Sequence, residues 1–271
     1  MRLILLTILI GFNLSVSGQN TVYETLTDVK YYPEQFYTDS IKRSRCVVDV
    51  YYPKNGKGFA TIIWLHGGGI TGGKKEIPEY LKNKGFGVIA VGYRLSPTVK
   101  VSEAIEDSAA AIAWILKNIS QYGGDRGKVF VSGHSAGGYL GLMAVLDKKY
   151  LAKHQIDANE VAELIPFSGQ CITHFTVRKE QGIKETQPVI DNLSPLFHVR
   201  KDAPPILLIT GDREMEMLGR YEENAYFSRM MKIVGHEQTR LLELQGYGHN
   251  MAYPAFPLLV KEIKERLNVK K

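Results

Sequence analysis

At 271 residues and 44% hydrophobic composition, the chain is globular and long enough for one large domain around a sizeable core. Its formal charge of +6 does not point to a nucleic-acid partner, because 34 lysines and arginines are interleaved with 28 acids along most of the sequence. Only two cysteines are present, Cys46 and Cys171, which excludes a disulfide-built scaffold; they are expected to be separate buried thiols.

The first residues place Arg2 before an apolar run from Leu3 to Phe12, followed by Ser15, Ser17 and Gly18. This is the pattern of a secretory signal peptide, assigned to residues 1–18. The apolar run is too short for a bilayer span, and no later stretch approaches that length. No cysteine follows the run, so no lipid-attachment site is present there. The expectation is a secreted or periplasmic chain without a membrane span, with residues 19–271 forming one domain.

Residues 20–41 are polar and aromatic without a clear period and are expected to form an outer hairpin or to drape over a sheet. From there, short Val- and Ile-rich runs recur between glycines, prolines and polar residues: "CVVDVYY", "ATIIWLHG", "FGVIAVGY", "KVFVSG", "ELIPFSG", "PPILLITG" and "TRLLELQG". Such runs read as buried strands. Glu103 to Ile119 carries Ile105, Ala109, Ile112, Leu116 and Ile119 at helical spacing, and "LLVKEIKERLNVKK" reads as a closing amphipathic helix. The alternation calls for an α/β fold with a mostly parallel central sheet of about eight strands and helices on both faces. Gln170 to Leu193 is long for a connection and reads as a lid-like insertion or a surface excursion.

Within this frame Gly133-His134-Ser135-Ala136-Gly137 fits G-x-S-x-G, directly after a strand and before a helix. A serine pushed out at such a tip has strained backbone angles and crowded neighbours, which accounts for Gly133, Gly137 and Gly138. A second glycine cluster, His66-Gly67-Gly68-Gly69, also follows a strand. Its N–H groups at Gly68 and Gly69, with that of Ala136, would form an oxyanion hole for a tetrahedral intermediate. The spacing to a Lys-Ser or Lys-Thr pair that a phosphate loop needs is missing.

A serine hydroxyl needs a base, and of the seven histidines His249, in the loop "GYGHN" after the last strand, is best placed. His66 reads as structural, and the His134 side chain is expected to point away from the line of attack. The base in turn needs a carboxylate, and in "GDREME" three acids compete: Asp212, Glu214 and Glu216.

The strings "HGGG", "GFGVIAVGYRLSP", "QYGGDRGKVFVSGHSAGG", "SPLFHV", "PPILLITGD" and "GYGHNM", in that order, resemble the α/β-hydrolases of the hormone-sensitive-lipase-like group. Related carboxylesterases, including acetyl-xylan and feruloyl esterases, share the resemblance, which covers Val47 to Leu267. It implies a triad in the order Ser135, acid, His249, acting without metal or organic cofactor on small-molecule or polysaccharide-linked esters, in a monomer or dimer. The family places its acid three residues after the strand-ending glycine, which here selects Glu214, with Asp212 and then Glu216 as alternatives. A serine peptidase or amidase of prolyl-oligopeptidase-like type and a non-catalytic binding protein on the same scaffold are the other readings. "YRLSP" is expected to fix the loop beside the oxyanion glycines through Arg94, and "YGGD" to turn the chain into the nucleophile strand.

Overall fold

The computed structural model describes residues 21–268; the signal-peptide assignment lies outside the described residues. One eight-stranded sheet runs through the molecule in the order β1-β2-β4-β3-β5-β6-β7-β8. Its strands are β1 (Tyr23–Lys30), β2 (Val47–Pro53), β3 (Phe59–Leu65), β4 (Gly87–Val91), β5 (Gly124–His134), β6 (Glu163–Phe167), β7 (Ile206–Gly211) and β8 (Thr239–Leu244). From β4 to β8 all neighbours pair in parallel, while β2 is antiparallel to both β1 and β4. The helices are α1 (Ser40–Arg45), α2 (Val101–Asn118), α3 (Ala136–Leu146), the one-turn α4 (Lys149–Ala152), α5 (Phe175–Glu180), α6 (Arg220–Ile233) and α7 (Ala252–Asn268).

The apolar runs dictate this arrangement, because β3 and β4 are buried along their whole length and must be covered on both faces. One face packs on α2, α3 and α6 through Ile63, Ile105, Ile112, Leu142 and Phe227; the other packs on α7 through Trp64, Phe167, Phe256 and Ile263. α7 begins six residues before the run expected to form it, at Ala252, and Pro254 in its first turn forfeits no intrahelical bond. Residues 20–41 supply an edge strand, β1, and not a self-contained hairpin.

Two further expectations are refined. Cys46 and Cys171 are both free and buried. Gln170 to Leu193 is a packed wall along its first half: Gln170, Cys171, Thr176 and Val177 are buried, and Glu180 accepts from the hydroxyl of Ser96 and the N–H of Val101. Among the described residues no helix is long and apolar enough to cross a membrane.

Candidate active site

The carboxyl ends of β3, β5, β6, β7 and β8 meet at one edge of the sheet, the end at which open α/β sheets place their ligands. Ser135 stands after β5 with φ 54° and ψ −114°, a conformation that a serine holds only when its surroundings enforce it. They do so by contact. A Cβ on Gly133 would lie 2.6 Å from the Leu65 carbonyl oxygen, and one on Gly137 would overlap the same oxygen. At Gly138 it would lie 2.9 Å from Gly169 Cα. The Ser135 N–H is held by the Phe167 carbonyl at 2.8 Å.

Ser135 Oγ lies 2.8 Å from His249 Nε2, and His249 Nδ1 lies 2.9 Å from Glu216 Oε2. A carboxylate can only accept, so the proton of the neutral imidazole sits on Nδ1 and leaves Nε2 free to take that of Ser135. The acid brought to His249 is therefore Glu216, which corrects the expectation of Glu214. The reason is a turn that residue counting does not see. Asp212 accepts from the N–H groups of Glu214 and Gly246, and its carbonyl accepts from Met215 and Glu216. The chain curls once around Asp212, leaving Glu214 exposed at the tip and returning Glu216 beneath the imidazole.

The Glu216 side chain is 1% exposed. Its Oε1 accepts from the Ser168 hydroxyl and from the Gly211 N–H at 3.1 Å. Burial alone would raise its pKa; hydrogen bonds from the His249 and Ser168 side chains outweigh that and hold it down at about 2. Ser168, at the end of β6, was not singled out in the sequence, although its place at a strand terminus in "FSG" marks it. Behind it the buried Arg220 guanidinium donates to the Ser168 carbonyl.

Each carbonyl of the glycine loop is captured by a donor within the protein. The His66 carbonyl accepts from the Tyr93 hydroxyl at 2.6 Å and the Gly67 carbonyl from His66 Nδ1 at 2.7 Å. The Gly68 carbonyl accepts from the N–H groups of Thr71 and Gly72, and the Gly69 carbonyl from the Thr176 hydroxyl at 2.5 Å. In a trans peptide the N–H points opposite to the carbonyl, so this capture turns the N–H groups of Gly68 and Gly69 the other way. Gly68 has φ 115° and Gly69 φ 63°, values that exclude most side chains. Ala136 opens α3, and its N–H has no acceptor within the helix. Burial pushes His66 down to about 4, so it is a neutral donor at neutral pH.

In "YRLSP" the loop is fixed by Tyr93 and by the Ser96 N–H on the Ile70 carbonyl, whereas Arg94 forks onto Asp107 of α2. Gly123, with φ 93°, makes the turn into β5 as expected. His134 departs from expectation. It lines the same cleft as Ser135, and its Nε2 lies 2.7 Å from the His249 carbonyl. The cleft, of about 550 Å³, is bounded by His66 to Gly69, Lys74, Glu76, His134, Phe175, Met217, His249 and Asn250.

A chain with this sheet order and its functional side chains at these strand ends is an α/β-hydrolase. Solved structures share the fold. A truncated carbohydrate esterase from gut microbiota superposes with TM-score 0.72 at 20% identity, covering 92% of this chain and 98% of that one. Propionate-bound esterase 2 of Thermogutta terrifontis gives 0.71 at 22% identity, with 91% and 96% covered. Residues 48–218 match the BD-FAE family model, and the chain belongs to that family. Among curated relatives, Esterase LipC of Mycobacterium tuberculosis is 28% identical over 217 residues, which are 69% of this chain and 52% of LipC. The chain thus spans about half the length of that relative.

Proposed function

We propose that this chain is a secreted serine carboxylesterase in which Ser135 is the nucleophile, His249 the base and Glu216 the triad acid. The observation that carries the reading is the continuous Ser135–His249–Glu216 chain of hydrogen bonds beside a glycine loop whose carbonyls are all captured. Ser135 Oγ attacks the ester carbonyl carbon as its proton passes to His249 Nε2. The oxyanion accepts from the N–H groups of Gly68, Gly69 and Ala136, each donor worth about 3–4 kcal/mol of barrier. The C–O bond of the ester breaks, and His249 returns the proton to the departing alcohol. Water then gives a proton to His249 and attacks the acyl-enzyme, releasing the acid and restoring Ser135. Glu216 stays ionised throughout and holds the tautomer.

The cleft supports short acyl groups on a polar alcohol: only Phe175 and Met217 offer apolar side chains, against Lys74, Glu76 and Asn250 on the polar side. The solved neighbours, a carbohydrate esterase and a propionate-bound esterase, agree with that range. Export through the segment 1–18 suits an ester met outside the cytoplasm, such as acetylated or feruloylated polysaccharide.

The test compares the chain with Ser135→Ala on p-nitrophenyl acetate, butyrate and octanoate, with acetyl-xylan and methyl ferulate alongside. Acetate and butyrate should turn over faster than octanoate, and the variant should lose about 10⁵–10⁶ in kcat. Equal rates for both proteins would overturn the reading.

A further inference from the structure

Two consecutive residues of one turn grip the same neighbour at its two ends. Ser135 Oγ meets the His249 ring, and His134 Nε2 meets the His249 main-chain carbonyl. A carbonyl offers only lone pairs, so the His134 proton is on Nε2 and that nitrogen is the donor. The two rings lie 4.9 Å apart.

Elsewhere the loop that carries the base is held by packing, with Gly211 against the carbonyls of Tyr247 and Gly248 and with Met251 buried in the core. Gly246 and Tyr247 are exposed and tied to Asp212. Among the described residues no other hydrogen bond reaches the backbone of Gly248, His249 or Asn250, and regular helix begins only at Ala252. The Glu216 carboxylate sets how the imidazole rotates, but it sits on an exposed loop of its own. His134, by contrast, ends a central strand and is peptide-bonded to Ser135 in a turn locked by Leu65, Gly137 and Gly169.

We infer that His134 is a positioning residue that sets the spacing between nucleophile and base, referencing the His249 backbone directly to that of Ser135. The inference rests on the reading of Ser135 and His249 as nucleophile and base. Its chemistry suits the task, because the tether must not repel the imidazolium that His249 becomes during acylation. Burial keeps His134 neutral, with His249 and Arg220 pressing the same way against the opposing pull of the carbonyl bond and Glu216.

The test uses the full chain with His134→Phe, which keeps a ring and removes the donor, and His134→Gln, whose amide can still donate. Turnover of p-nitrophenyl acetate, thermal midpoints and the rate of serine labelling by a fluorophosphonate are measured. The Phe variant should lose about 10- to 100-fold in kcat with KM within about twofold, since a displacement near 1 Å can cost that much. The Gln variant should regain most of the loss, with similar midpoints for both. A Phe variant with wild-type kcat would overturn the inference, and so would equal losses in Phe and Gln that follow the midpoints. Fluorophosphonate labels an activated serine whatever bond is cleaved. A labelled wild type without ester turnover would overturn the ester reading alone; slow labelling of Phe and fast labelling of Gln would then uphold the tether, and equal labelling would sink it.

Discussion

The turn that carries Ser135 and the two loops that carry Glu216 and His249 lie side by side at one sheet edge, yet they are held by different means. At the turn, main chain presses on main chain: Leu65, Gly137, Gly138 and Gly169 leave no room for a Cβ, and the strained φ of Ser135 is enforced by the core. At the loops, Gly211 also presses on the carbonyls of Tyr247 and Gly248, but individual hydrogen bonds set the functional groups, from the Gly246 N–H to Asp212, from the Ser168 hydroxyl to Glu216 and from His134 to His249. Close packing specifies geometry through many contacts that no one substitution removes, whereas a hydrogen-bonded loop is only as good as each bond.

That contrast makes the acid loop the place where one atom should matter most. Glu216→Gln keeps the shape but lets the His249 tautomer invert, and should lower kcat/KM by about 10³–10⁴. Glu214→Gln changes an exposed side chain and should leave kcat/KM within about twofold. Steady-state kinetics on p-nitrophenyl acetate distinguishes them, and a large loss at Glu214 with none at Glu216 would reverse the assignment of the acid.

A smaller effect sharpens the comparison from the side of the turn. His66 and His134 are both held down to about 4 by burial, below their value of about 6.5 in an unfolded chain. The unfolded chain therefore binds more protons across that interval. The stability they confer is complete above about pH 6.5 and is lost as pH falls towards 4, by about 1.4 kcal/mol per histidine per pH unit. Glu216, depressed to about 2, adds its own loss only below the ordinary carboxylate range. Denaturant midpoints at pH 7, 6 and 5 should fall steadily, and less steeply in His134→Gln, where His66, His154 and His174, all held down by burial, still supply a loss of the same sign. A flat profile would show that burial does not hold these rings neutral.

The same contrast explains what could be read in advance. The strands, Ser135, the glycine clusters and His249 were legible because close packing writes itself as glycine and as runs of Val and Ile. Counting from Gly211 pointed to Glu214 because it assumes a standard turn, whereas Asp212 folds the chain once around its own carboxylate and it is Glu216 that reaches His249. His134 and Ser168 were missed because each acts through a hydrogen bond to a residue far along the chain, 115 and 48 positions away. The start of α7 was hidden by Pro254 and Pro257, which local propensity reads as breakers.

The central claim is that Ser135 carries the acyl group during turnover, and trapping that intermediate tests it most directly. The protein is mixed with p-nitrophenyl acetate, quenched in acid within the first turnovers, digested and weighed peptide by peptide. A single acetyl group on the peptide containing Ser135, absent from Ser135→Ala, is the result expected. Turnover that proceeds with no acyl group on that peptide, or with one on another side chain, would contradict the account.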